Sequence, residues 1–337
     1  LCENSVDRQC GFESPLPKMD KYIENELQIY GVEQMRLVGG KGDGMRIFSV
    51  RNGGGLEFTV SLDRCADISR LSLCGTNYGY FAPCGYISPK YYDGAGDGFL
   101  KSFTAGFFTT CGFNNVGSPC TDRGEDLPLH GSISNTPCDN AYHFIENNKI
   151  HIKAHVADAA LFGRNLSLDR EYICPIGENV IYLYDTVTNL ADKECPLEIL
   201  YHCNMGYPLL TENAKVKIPS ESVRARNTHA QTGIDNCLKM EKPQKGYEEM
   251  CFYHKLSGKT SVKISNPDTG RSLEMCFDTA ELPFFTEWKM MGEKQYVLGL
   301  EPGNCLPDGR DVMRQNGCLD ILQPGEKREF EIKFVMK

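Results

Sequence analysis

In Leu197-Glu198-Ile199-Leu200-Tyr201-His202-Cys203-Asn204-Met205, polar side chains interrupt an apolar run at spacings of four and two. Successive side chains on a strand leave opposite faces. Glu198, Leu200, His202 and Asn204 therefore share one face, and Leu197, Ile199, Tyr201, Cys203 and Met205 the other. The second face reads as core. The first needs hydrogen-bond partners or a wet cleft, and taken alone it fits a structural histidine beside a solvated sheet better than a catalytic one. A second run, Tyr296-Val297-Leu298-Gly299-Leu300-Glu301-Pro302, ends on a carboxylate. Val297, Gly299 and Glu301 share a face, and a strand glycine often marks the close approach of a ligand or another backbone. A small molecule lying against Gly299 would touch Glu301. An imidazole and a carboxylate brought together could act as acid and base.

Other candidates carry weaker signals. His130, in a loop rich in acids and proline and followed by Gly131, fits a pocket rim or a turn equally well. His151 and His155 lie on one strand face without an acidic or cysteine partner at metal-ligand spacing, so an exposed alternating strand is the better reading. The glycine-rich stretches 39–44 and 94–98 lack Gly-Lys-Ser/Thr and read as turns. The sixteen cysteines contain no C-x-x-C. Cys65, Cys74, Cys84, Cys111, Cys203 and Cys276 fall in apolar or turn segments, as small hydrophobes do, and the expectation is reduced thiols in a cytoplasmic protein with no structural zinc site.

The elements that must position these groups have a period of two. Strands are predicted over Ile47 to Val60, Ile150 to Val156, Val180 to Val187, Leu197 to Cys203, Val262 to Ser265, Tyr296 to Leu300 and Phe330 to Val335, with turns at Asn52-Gly53, Pro267 to Gly270 and Pro324-Gly325. Lys18 to Tyr30 is the stretch that could form a short helix. The pattern predicts an all-β sandwich, with residues 1–27 as an extension and 28–337 as a single domain. Residues 80–135 are rich in Gly, Pro, Asn and aromatics, and long loops of that kind on a β scaffold usually carry function. With 41% hydrophobic and 24% charged residues, the chain has a globular composition. Its net charge of -9 disfavours nucleic acid and anionic membrane as partners. The visible N-terminus lacks signal-peptide character, and no run approaches the length of a membrane span.

The ordered set Leu-His-Gly (129–131), His-x-Asn (202–204), Leu-Glu-Pro (300–302) and Leu-Gln-Pro-Gly-Glu (322–326) resembles the aldose 1-epimerase (galactose mutarotase) superfamily. "TTCGFNNVGSPC", "LHGSISNTPC" and "EWKMMGEKQYVLGLEPGNC" look more specifically like its DUF4432 branch, from about Gln28 to the end. The resemblance implies a galactose mutarotase-like antiparallel β-supersandwich and an isomerase that interconverts sugar anomers without metal or redox cofactor. It assigns His202 as general acid, Glu301 as general base and His130 as a sugar-hydroxyl contact, with Asn204 beside them. Anomer exchange needs a base for the C1 hydroxyl proton and an acid for the ring oxygen, so two such groups suffice.

The chain also departs from the pattern. Where mutarotases carry Asn-Arg-Ile, this sequence has Asn114-Asn115-Val116, so Asn114 stays a candidate contact while the family's arginine is missing; Arg123 could replace it. Glu248 and Glu249 stand nearest to the family's later sugar-contacting Asp, and a longer acid there would shrink the pocket. Asp63, Arg64 and Trp288 are further candidates, the first two equally explained by packing or a structural ion pair. Two alternatives stay open: a non-catalytic carbohydrate-binding or regulatory protein on the same fold, and an epimerase for phosphorylated or oxidised sugars, for which Arg164 and Arg170 are available. The expected partner is a small-molecule sugar, and a homodimer is left open.

Overall fold

The computed structural model describes residues 21–337. Its period-two segments become strands paired antiparallel. Asn140–Glu146, Lys149–Ala159, Asn165–Pro175 and Val180–Asn189 follow one another across an eight-stranded sheet, and Lys327–Met336, Arg271–Asp278, Lys259–Asn266 and Lys215–Lys217 complete it. A seven-member group holds Ser222–Ala225, Met250–Lys255, Phe284–Gly292, Gln295–Gly303, Cys195–Met205 and Asp320–Leu322, with Phe108–Phe113 pairing on the Cys195–Met205 strand. A five-stranded sheet precedes both in the chain, from Tyr30 to Asn77. One hydrophobic cluster draws Phe58 and Leu71 from the first sheet, Leu183 and Phe334 from the largest, and Ile199 and Leu298 from the third. This is the all-β, antiparallel architecture predicted above.

Two local expectations change. The run Ile47 to Val60 is a hairpin of Arg46–Asn52 and Leu56–Ser61 rather than a continuous strand. Asn52 makes the break: its Oδ1 accepts the N–H groups of Gly54 and Leu56, its amide donates to the Glu178 carbonyl, and Gly53 takes φ 78°. The helix expected over Lys18 to Tyr30 is not formed in its described part. Residues 18–20 lie outside the described residues, as does most of the expected extension. The 3-10 turn Glu26–Gln28 is capped by the Asn25 side chain, and Tyr30–Arg36 then pairs with Arg46–Asn52. Tyr30 and Val32 bury themselves in the sheet, a larger gain than an isolated short helix could provide.

Thirteen of the described cysteines are free thiols, nine of them buried. Cys74 departs from the expectation of free thiols, being disulfide-bonded. It sits exposed on the turn after Asp67–Leu73, where a thiol is accessible to a partner. Among the described residues no helix is long and apolar enough to cross a membrane.

Candidate active site

The His202 strand, Cys195–Met205, lies beside the Glu301 strand, Gln295–Gly303, with Cys203 opposite Leu300 and Asn204 opposite Gly299. That register sets His202 across from Glu301. The Nε2 atom of His202 is 3.2 Å from Oε1 of Glu301, and both side chains are buried. The pair is in direct contact, so a sugar would lie over it rather than between its members. Leu298, Leu300 and Cys203 leave the opposite face and enter the core, as the alternation required. Gly299 is indispensable to this packing. A Cβ there would come within 2.2 Å of Glu301 Oε1 and 2.9 Å of Trp288 Cβ.

Aromatic rings wall the pair. Phe103, Trp288 and His130 each present an edge-on ring to His202, with centroids 5.2, 5.2 and 5.6 Å away. Trp288 is opposite Gly299 in register, and its Nε1 donates to Glu249 Oε2 at 2.6 Å. His130 adopts φ 56° ahead of Gly131, and its Nδ1 accepts the Gly117 N–H at 3.2 Å. The proton of the neutral ring is thereby assigned to Nε2. The Asn204 amide donates to the carbonyls of Ala105 and His202. The Oδ1 atoms of Asn114 and Asn204 are buried without a hydrogen-bond partner, as are His202 Nδ1 and Glu301 Oε1. Buried polar atoms of this kind usually have partners.

Burial dominates the electrostatics. It lowers His202 to about 4, against a smaller opposing effect from the Asn204 side chain. It raises Glu301 well above the ordinary carboxylate range, with Glu249 adding to the rise and Arg226 opposing it. His130 is held well below its usual range by burial, then by His202 and Arg226. Each group thus favours its neutral form. The His202–Glu301 pair offers one proton donor and one acceptor side by side.

The other sequence candidates divide. His130, Asn204, Trp288 and Glu249 gather around the pair through the contacts above, and Asn114 lies against Gly131, its Oδ1 2.6 Å from where a Cβ of residue 131 would stand. Glu248 is exposed and faces His229, 3.8 Å away. Asp63 is paired with Arg46 at 2.7 Å, the structural ion pair that the sequence left open. Arg64 is buried and donates to the carbonyls of Ser134 and Ile87, which also makes it a packing residue. Arg123 is exposed on a turn at φ 52°. Arg164 is paired with Asp158, and Arg170 with Asp67 and Asp185. Neither is free to bind an anion.

Sequence reasoning missed Arg226. Its guanidinium donates to Ser118 Oγ and the Pro307 carbonyl, lies 3.4 Å from Asp308, and acts on both Glu301 and His130. It ties together the loops that hold His130. The alternation Val223-Arg224-Ala225-Arg226 marks a strand end, but nothing local points this arginine at residues that lie about a hundred positions before and eighty after it.

Comparison with known proteins agrees with this architecture. A structure from Klebsiella pneumoniae subsp. pneumoniae described as a candidate aldose 1-epimerase matches with a TM-score of 0.86 and 26% identity, over 94% of this chain and 89% of that one. A galactose mutarotase-like protein from Clostridium acetobutylicum matches with a TM-score of 0.68 and 14% identity, over 92% and 99%. Galactose 1-epimerase from Lactobacillus acidophilus does so with a TM-score of 0.63 and 12% identity, over 91% and 99%. No curated protein matches the sequence. The family model described as a domain of unknown function, DUF4432, matches residues 42–336, and the chain belongs to that family.

Proposed function

We propose that this protein is an aldose 1-epimerase-like isomerase that exchanges the anomers of a free aldose or a closely related sugar. The carrying observation is the buried contact between His202 Nε2 and Glu301 Oε1 at 3.2 Å, beneath aromatic walls. Ring opening needs one group to take the C1 hydroxyl proton while another protonates the ring oxygen; reclosure on the other face of the aldehyde reverses the transfers. The resemblance gives Glu301 the first role and His202 the second. In the resting protein burial favours the proton on the carboxyl side. Transfer of that proton to the imidazole, once the two side chains align into a hydrogen bond, produces the carboxylate and imidazolium that those roles require. Arg226, which favours the ionised form of Glu301, assists that transfer. His130, Asn204 and Asn114 are proposed to contact sugar hydroxyls, and Trp288 to cover an apolar sugar face.

The competing reading is a carbohydrate-binding protein without catalysis. The ring surface around His202 favours binding as such, since aromatic faces suit sugar C–H groups whether or not a proton moves. A phosphorylated or oxidised substrate gains no support from Arg164 or Arg170, whose charges are already neutralised.

Anomer exchange followed by NMR on a panel of aldoses separates the readings. Glu301→Gln keeps the shape and removes the base, so exchange should fall about 10²- to 10⁴-fold while binding persists. Wild-type binding without faster exchange would support the receptor reading instead.

A further inference from the structure

On the Phe284–Gly292 strand, Trp288 faces the site, and its neighbour Glu287 leaves the opposite face. There Glu287 meets His254, from the adjacent Met250–Lys255 strand, and Cys237, at the end of the 3-10 turn Ile234–Asn236. All three are buried, and one ligand atom from each lies within 4.8 Å of the others. Among the described residues no other group of His, Cys, Asp and Glu converges in this way. We propose that Cys237, His254 and Glu287 form a binding site for a divalent transition-metal ion of the zinc class.

Three features support the assignment. The first is donor chemistry: thiolate, imidazole and carboxylate are the ligands zinc takes, and three of them fill all but one position of a tetrahedral centre. The second is orientation. His254 Nδ1 is 2.7 Å from Ser220 Oγ, leaving Nε2 turned inward, 3.0 Å from Glu287 Oε2. Metal-bound histidines are commonly fixed by such a hydrogen bond on the outer nitrogen. The third is an under-used acceptor: Glu287 Oε1 is wholly buried with no hydrogen bond of ordinary geometry, and beyond His254 the Cys237 thiol is the side chain that bonds to this carboxyl group. A cation would satisfy it. Charge also balances, because one thiolate and one carboxylate neutralise a divalent ion, while nearby Lys289 has its own partner in Glu241 at 3.1 Å. Binding would release the thiol proton to solvent and involves no redox step.

Such an ion would pin the 226–249 excursion to the back of the strand that carries Trp288. The excursion ends on Glu249, which holds the Trp288 ring nitrogen. The proposal does not depend on the sugar chemistry, and its test does not read it.

The experiment uses the full chain with no affinity tag, stripped with chelator and titrated with zinc or cobalt(II). One equivalent should bind at micromolar concentration or below, raise the melting temperature and, for cobalt, give thiolate-to-metal charge-transfer absorption. Cys237→Ser should abolish that absorption, and Ser220→Ala should weaken binding about 10- to 100-fold, as loss of an outer hydrogen bond does. Stripped wild type that takes up no stoichiometric metal at tens of micromolar overturns the proposal. So does a charge-transfer band that survives in Cys237→Ser, which would place the metal on other cysteines. If that variant fails to fold, wild type decides the matter through the melting shift, whose absence overturns the site.

Discussion

Gly299 shows how closely the His202–Glu301 pair is packed at the scale of single residues. A methyl group there overlaps the Glu301 carboxylate and presses on Trp288. Gly299→Ala should therefore displace the carboxylate from His202. Overpacking of this kind costs about 1–3 kcal/mol, and we expect anomer exchange to fall at least about tenfold by the same loss of geometry. Denaturant melts and NMR exchange on the variant check both. Unchanged exchange would mean that the Glu301 position observed here is not the one that matters. The alternation of residues 297–301 made the glycine legible as a space beside the acid. It did not reveal that acid and histidine touch, because their distance depends on a register between strands nearly a hundred residues apart.

At the scale of the element, the Cys195–Met205 strand carries a second buried acid. Glu198 has Oε2 accepting the Val116 N–H at 2.8 Å while Oε1 has no partner, and burial raises its pKa from 4.5 to about 8. The folded protein holds this proton between those values and the unfolded chain has released it. The unfolded state binds fewer protons there, so stability falls as pH rises through that window. Glu198→Gln can keep the Val116 hydrogen bond and has no proton to lose. The variant should gain stability relative to wild type as pH goes from about 5 to about 8. Paired thermal melts across that range would show the divergence, and parallel curves would mean that Glu198 titrates normally. The sequence placed Glu198 correctly on the His202 face. What it could not show is that the carboxyl belongs to the strand's anchoring against residue 116 rather than to the proposed catalytic pair.

Across the whole molecule, Arg170 joins the first sheet to the largest. Its guanidinium forks onto Asp185 at 2.8 and 2.7 Å, donates to Asp67 at 2.7 Å, and reaches the Cys65 carbonyl and Thr110 Oγ1. A planar five-donor group is fully used. Arg170→Leu would leave two buried carboxylates without their cation, which costs about 3–5 kcal/mol. Urea denaturation should record a loss of that size, and a change below about 1 kcal/mol would remove Arg170 from its place as the link between the sheets. From sequence the residue looked available for an anion. Its real partners come from segments about a hundred and about sixty residues before it and fifteen after it.

The sequence by itself determined the strands, the faces they bury and the membership of His202 and Glu301 in polar faces, because side-chain alternation is a property of the local backbone. Motif order carried the resemblance to the mutarotase superfamily, and family membership now rests on the match over residues 42–336. Only the tertiary structure decided which polar groups meet. It set His202 against Glu301, brought Arg226 beside the loops of His130, gave Asp63 and Arg64 to structural contacts, and gathered Cys237, His254 and Glu287 behind Trp288. Each of those meetings follows from sheet register and loop closure, which depend on pairing between distant segments and leave no spacing in the chain to read.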